Sequence, residues 1–314
     1  MTSFAIGVDL GGTNLRIAAV DEHGKLLEKI ATDTGVARPR DEVIAEMCRA
    51  IESLTKKKKG RLAGVGVGVP GIIDLGSGTL RESPNLPGWH DYPVREKIER
   101  RLRTRVILEN DANAAALGEK WLGAGREVDD LCMITLGTGV GGGIVLGGRI
   151  WHGMTGMAGE LGHITVEPEG PQCGCGNRGC LEQLASATAL VRMAREAGLG
   201  GGDTELTAKR VGQMAQEGNA AARELFVRVG RALGIASANM VNALNLPILV
   251  IGGGVAGAWE LFAPSLFEEV ARRSFVYRAT MPEPEGAVHG RNTVITRAAL
   301  GSDAGLYGAA RVAM

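Results

Sequence analysis

One pattern in this 314-residue chain occurs twice, and it limits the fold more than any other feature. Near the start, Phe4-Ala5-Ile6-Gly7-Val8 reads as a strand and Asp9-Leu10-Gly11-Gly12-Thr13-Asn14 as a turn. Leu15 to Val20 returns, and Asp21 to Lys25 turns again before a third strand. From Leu131 the order repeats. Leu131 to Leu136 is a strand and Gly137-Thr138-Gly139-Val140-Gly141-Gly142-Gly143 a turn. Ile144 to Leu146 returns, and Gly147-Gly148 makes a hairpin into Arg149-Ile150-Trp151. Duplication at so long a period predicts two similar lobes facing a cleft.

Between and beyond these repeats, strands are expected at Leu62 to Val69, Val106 to Leu108, Ile248 to Ile251 and Val294 to Thr296. Helices are expected at Pro39 to Lys56, Pro93 to Leu102, Leu181 to Ala197, Leu206 to Glu217 and Ala220 to Leu244. Two more follow, one through Phe267-Glu268-Glu269 and one from Gly305 to Val312. Ser83 to Trp89 holds too many turn residues to be regular. Strands alternating with helices give an α/β class, and the length suits two domains. The 48 glycines cluster between apolar segments, which predicts tight turns and backbone lying close to a ligand.

Charge and cysteine usage narrow the function classes. Lys+Arg and Asp+Glu are equal at 35 each, which gives no electrostatic case for nucleic acid or an anionic membrane. The run Lys56 to Lys59 is read as a solvated loop. No segment approaches the ~18 apolar residues of a membrane span. The N-terminus enters a strand without a basic-then-apolar signal, and the five cysteines do not suit a disulfide framework. The expected location is the cytoplasm.

Gly137-x-Gly139-x-x-Gly142 matches the dinucleotide fingerprint, but a strand and hairpin follow it where a helix is required. A P-loop is absent too. Successive N–H groups in two matched glycine turns can instead form nests for phosphate oxygens, with the hydroxyls of Thr13 and Thr138 added. Asp9, beside the first turn, can hold Mg2+ through water or shape the hairpin as an Asx-turn. Gly252-Gly253-Gly254-Val255 reads either as a close approach to a flat ligand or as a helix-start turn.

The run Glu109-Asn110-Asp111-Ala112-Asn113 stands where a strand ends and an alanine-rich helix begins. In open α/β folds ligands bind outside such strand ends. Asp111 there can take a proton from a hydroxyl or can cap the helix. His163, Cys173, Cys175 and Cys180 form H-x9-C-x-C-x4-C, a closed tetrahedral zinc set with no open position and hence a structural role. Cys48 and Cys132 are read as core. Glu160 and Glu182 flank the cluster, and with Asn85, Asn110 and Asp111 they suit a polyhydroxylated ligand.

Taken together, these motifs resemble the ROK family (repressor, open reading frame, kinase) of the hexokinase–actin–Hsp70 superfamily. The likeness runs through essentially the whole chain and is nearest to the bacterial ROK glucokinases. It rests on Asp9 to Asn14, Leu136 to Gly141, Glu109 to Asn113, Gly159 to His163 and Cys173 to Glu182. The resemblance implies a two-lobed actin-like ATPase (ribonuclease H-like) fold. Its small lobe is 1–116 completed by about 300–314, and its large lobe is 117–299 with the zinc insert. It implies ATP and Mg2+ beside a hexose, glucose above all, with Asp111 as the base for the 6-hydroxyl. Asn85, Asn110, Glu160, His163 and Glu182 would hold the other hydroxyls, one ring nitrogen of His163 facing Zn2+ and the other the sugar. Asp9, Gly11, Gly12, Thr13, Asn14, Gly137, Thr138 and Gly139 would serve the phosphates and their ion, and Gly253 and Gly254 the adenosine. A homodimer or tetramer is implied. Rival readings are a kinase for N-acetylmannosamine, mannose, fructose or allose, and a sugar-sensing repressor. The repressor needs a DNA-binding helix-turn-helix, for which a strand starting at Phe4 leaves no room.

Overall fold

The structure is a computed structural model and describes residues 3–201, 205–282 and 292–314. Strands β1 (Ser3–Leu10), β2 (Asn14–Asp21) and β3 (Leu26–Asp33) form a meander. Helix α1 (Arg40–Lys57), β4 (Arg61–Val69), the short β5 (Ile72–Asp74) and β6 (Thr79–Glu82), α2 (Val94–Leu102), β7 (Val106–Asn110) and α3 (Asp111–Leu122) follow. The echo begins with β8 (Leu131–Leu136), β9 (Val140–Leu146) and β10 (Arg149–Ile150). Helices α4 (Glu182–Ala185), α5 (Ala187–Glu196), α6 (Ala208–Gln216) and α7 (Ala220–Leu244) lead to β11 (Ile248–Gly252). Then come α8 (Trp259–Arg273), α9 (Phe275–Thr280), β12 (Val294–Arg297) and α10 (Ala304–Val312).

The duplication is visible in the strand order. The first five-stranded sheet runs β3-β2-β1-β4-β7 and the second β10-β9-β8-β11-β12. Each is third, second, first, fourth, fifth in its own chain order. β1–β2 and β2–β3 are antiparallel, while β1–β4 and β4–β7 are parallel. In the second sheet β9–β10 is antiparallel, and β8–β11 and β11–β12 are parallel. The chain divides into two compact units. One comprises Met1–Asp129, Gly143–Gly159 and Ala299–Met314, the other Asp130–Gly142 and Glu160–Ala298.

In the first unit, strand periodicity sorts the residues by size. Along β1, Phe4, Ile6, Val8 and Leu10 join a large cluster with Val43, Met47 and Ile51 of α1, whereas Ala5 packs with Leu306 and Ala310 of α10. Along β4, Val65, Val67 and Val69 enter the large cluster, and the alternating Gly66 faces α10 so closely that a Cβ would collide with the Ala309 carbonyl. Gly7 meets the Leu306 carbonyl in the same way, and Gly308 of α10 meets that of Ala114 of α3. Much of the glycine therefore admits helix backbone to the sheet and to a neighbouring helix, a use beyond turns and ligand approach. In the second unit, Gly230 of α7 lies equally close to the Phe262 carbonyl of α8.

Four local features differ from expectation. The helix expected over Leu181 to Ala197 is broken at Ser186, whose hydroxyl accepts the Ala189 N–H at 3.0 Å and caps α5. The second glycine turn is shorter than expected, because β9 starts at Val140. Gly143 inside that strand is needed for packing, since a Cβ would lie 2.7 Å from the Ala116 Cβ and 2.9 Å from the Ala112 carbonyl. The β5–β6 hairpin and α9 were not expected at all. Among the described residues, no helix is long and apolar enough to cross a membrane.

Candidate active site

β7 runs parallel to β4, its apolar Val106 and Leu108 buried, and ends at Asn110. The N-cap of α3 is Asn110, not Asp111. Its side-chain oxygen accepts the N–H groups of Ala112 at 2.9 Å and Asn113 at 3.2 Å. Its amide nitrogen lies 3.4 Å from the Gly71 carbonyl. Asp111 is the first helical residue and half-buried, and one carboxylate oxygen shares the Ala112 N–H at 2.9 Å. Asn85 is exposed in the irregular 83–89 loop, which Leu86 and Trp89 anchor in the core. Its backbone lies against Gly12, where a Cβ would come within 2.6 Å of the Asn85 carbonyl.

The two glycine turns are tethered alike. In the first, the Thr34 hydroxyl donates to the Gly11 carbonyl at 2.7 Å and the Thr34 N–H to the Thr13 carbonyl at 2.9 Å. In a trans peptide the carbonyl and the next N–H point opposite ways, so the N–H groups of Gly12 and Asn14 face away from Thr34. In the second, the Ala187 N–H donates to the Gly137 carbonyl at 2.8 Å and the Thr188 hydroxyl to the Thr138 carbonyl at 2.8 Å. The N–H groups of Thr138 and Gly139 accordingly face away from α5. Within the turns the Gly11 N–H donates to the Asn14 carbonyl at 3.0 Å and the Gly137 N–H to the Gly139 carbonyl at 2.9 Å.

Asp9 lies opposite Arg16 across the β1–β2 ladder and is ion-paired with it through Oδ2. Burial pushes its carboxyl up, against the downward pull of Arg16. Asp9 also stands beside Gly305, in the first turn of α10. One carboxylate can serve an ion that keeps its waters and binds phosphates, and Asp9 would offer such an ion the oxygen that Arg16 does not take.

His163, Cys173, Cys175 and Cys180 come together, their ligand atoms all within 4.8 Å of one another. Cys173 Sγ is 3.7 Å from His163 Nδ1, and Cys175 Sγ is 3.7 Å from Cys180 Sγ. Tetrahedral ligands at about 2.3 Å from a zinc ion stand about 3.7 Å apart, so the group fits that metal. Burial and the neighbouring thiols push the Cys180 thiol up to about 12, so a bound metal must displace protons. Nε2 of His163, the ring nitrogen away from Cys173, lies 3.9 Å from Glu160. Glu160 itself is exposed. Glu182 opens α4 and accepts the Val140 N–H at 3.0 Å, which links the cysteine segment to the second glycine turn.

Gly253 has φ +86°, and a side chain there would collide with the backbone of Leu136, so its identity is set by packing. Gly254 faces open space. A cavity of about 550 Å³ in the second unit is lined by Thr138, Thr188, Arg192, Arg195 and Thr207 among others. Of these, sequence reasoning found Thr138 alone. It also missed Thr34, Arg16 and His152, and it gave Glu109 no role of its own. Arg192 and Arg195, at i and i+3 on one helix, carried the one signal that could have been read.

The ROK family model matches residues 5–314. A glucokinase of Thermotoga maritima is 40% identical over 317 residues, covering 98% of this chain and 96% of that protein. A xylose repressor of Caldicellulosiruptor bescii is 34% identical over 284 residues, covering 86% of this chain and 71% of the repressor. The crystal structure of a ROK family glucokinase from Streptomyces griseus in complex with glucose and AMPPNP superposes with a TM-score of 0.81 at 34% identity, covering 98% of each chain. That of a ROK hexokinase from Thermus thermophilus gives 0.82 at 36%, covering 98% and 96%. The fold shared with these neighbours is that of the actin-like ATPases. A family model that spans residues 5–314 and a relative 40% identical over nearly the whole chain show that this protein belongs to the ROK family.

Proposed function

We propose that the chain phosphorylates glucose at the 6-hydroxyl with ATP. The observation that carries this reading is the division of labour at the β7–α3 junction. Asn110 is the N-cap, so the cap does not depend on Asp111, which shares the Ala112 N–H and opens α3 at a parallel strand's carboxyl end. There it would accept the hydroxyl proton and aim the oxygen at the γ-phosphorus. Phosphoryl transfer needs mainly positioning and charge stabilisation. The N–H groups of Gly12 and Asn14 in the first turn and of Thr138 and Gly139 in the second would receive phosphate oxygens, with the Thr13 and Thr138 hydroxyls beside them. Asp9 would hold Mg2+ through water, and the ion would offset phosphate charge. Asn85, Asn110, Glu160, His163 and Glu182 would bond the remaining hydroxyls, and Gly253-Gly254 would lie against the adenosine. Zn2+ on His163, Cys173, Cys175 and Cys180 would keep Glu160 and Glu182 in place without touching the reaction.

A coupled ADP-release assay over hexoses and N-acetylhexosamines tests the substrate, and glucose is expected to give the highest kcat/KM. Preference for N-acetylmannosamine, mannose, fructose or allose would move the chain to another kinase specificity. Glucose binding without ADP release would favour a sugar-sensing regulator, a reading kept open by the repressor relative. Asp111→Ala should lower kcat by about 10²–10⁴-fold, the usual worth of a positioned base, while sugar binding stays measurable. Near-parental turnover would remove Asp111 from the mechanism.

A further inference from the structure

Glu109 and His152 stand outside every role given so far. Glu109 is buried, 3% exposed, and its carboxylate is the centre of a small network. Oε1 accepts the Asn110 N–H at 2.9 Å and the Asn113 side-chain amide at 3.1 Å. Oε2 lies 2.7 Å from His152 Nε2. A buried carboxylate keeps its place only while donors fill its acceptor sites. Two of the donors here belong to the junction itself: the Asn110 N–H lies one residue before Asp111, and Asn113 lies within the first turn of α3. Glu109 dictates the orientation of Asn113, whose Oδ1 is left buried without a hydrogen-bond partner among the described residues.

The third donor arrives from a distant segment, just after β10. The His152 carbonyl accepts the Ala158 N–H at 3.1 Å. That bond closes the 152–158 loop, two residues short of Glu160. Gly153 at φ +67° makes this closure possible, with Ala158 against it. One residue is thus tied to Glu109 by its ring and to the loop by its backbone.

We propose that His152 is a positioning residue. Through Glu109 it fixes the β7–α3 junction that carries Asp111, and through its backbone it closes the loop that leads to Glu160. The role rests on the sugar-kinase reading above. Without the imidazole, Oε2 loses this donor, the carboxylate turns, and the Asn110 peptide bonded to Oε1 turns with it.

Steady-state kinetics on the parent and its variants, with thermal melting of each, tests this. His152→Ala should lower kcat/KM for the hexose by about 10–100-fold, the scale of an ångström-sized misplacement near a reacting group. KM for ATP should stay within about twofold, and the melting temperature should fall by no more than a few degrees, leaving the protein folded at the assay temperature. His152→Gln, whose amide N–H reaches the place of Nε2, should recover most of the loss, and the shorter His152→Asn should not. His152→Ala at parental efficiency overturns the role. So does a loss that falls on both substrates, follows the melting temperature and is not recovered by Gln. A parent that phosphorylates no sugar of the panel overturns the kinase reading and the positioning role together. An active parent with an inactive Asp111→Ala and an unaffected His152→Ala overturns the positioning role alone.

Discussion

Two buried glutamates on consecutive elements are satisfied in different ways. Glu119 of α3 is wholly buried, and its carboxylate accepts the N–H groups of Ala124 at 2.8 Å, Ala299 at 3.1 Å and Leu300 at 2.8 Å. It pins the end of α3 to the segment entering α10 with no titratable partner among those donors. Glu109 instead shares its charge with His152, and this hydrogen bond raises the imidazole pKa above its ordinary value. The sign follows from linkage. A raised pKa means that the folded state holds the proton more tightly than the unfolded chain, where the ring titrates at about 6.5. The stabilisation is fully present below that pH and is lost as pH rises through the higher folded value. A partly exposed pair contributes little. The melting temperature of the parent should therefore fall more between pH 6 and pH 9 than that of His152→Gln, by about 1–2 °C. Equal falls in scanning calorimetry would show that the pair carries no proton-linked stability.

At the scale of elements, most of the order was legible because periodicity declares itself. Ala220–Leu244 was read to the residue, and β8 and β11 stand where their apolar runs predict. The failures share a physical cause, which is that tertiary contact decided them. Ser186 looks like an ordinary helix residue until its hydroxyl caps α5, and Gly143 of β9 looks like part of a turn until α3 is laid against it. Thr34 shows no motif, and its value lies in reaching back to a turn more than twenty residues earlier in the chain. The His-Cys cluster is the opposite case, since its spacing alone brought the four residues together before any contact was known. Its segment has two isolated bridges, Thr165–Cys180 and Gln172–Arg178, and hardly any regular structure. Metal binding would then be part of its folding free energy. Removing zinc with a strong chelator should lower the melting temperature by several degrees and raise KM for the hexose, and restoring Zn2+ should reverse both. A protein that holds no zinc by atomic absorption and is indifferent to the chelator would refute the site.

The whole molecule repeats one device. Each sheet runs third, second, first, fourth, fifth, and each bears a glycine turn between its first and second strands. In each case the hydroxyl of a threonine elsewhere in the same unit donates to a carbonyl of that turn. The repeat was legible because strand–glycine–strand survives in sequence, whereas the threonine tethers were not, because a single hydroxyl leaves no pattern. Family membership alone does not decide between catalysis and sensing, since glucokinases and xylose repressors are both relatives at 34–40% identity. Ligand response separates them. Anything that binds only the folded state stabilises it by RT ln(1 + [L]/Kd), about 2.7 kcal/mol at a hundredfold excess over Kd. For a chain of this size that is about 5 °C. A kinase built on two phosphate-binding turns must respond to a nucleotide as well as to a sugar. Glucose and AMPPNP with Mg2+ should therefore each raise the melting temperature by about 5 °C when well above their Kd. Together they should raise it at least as far as the two separate shifts added. A rise with glucose and none with AMPPNP would leave the paired turns without phosphates to hold and would make the protein a sugar sensor.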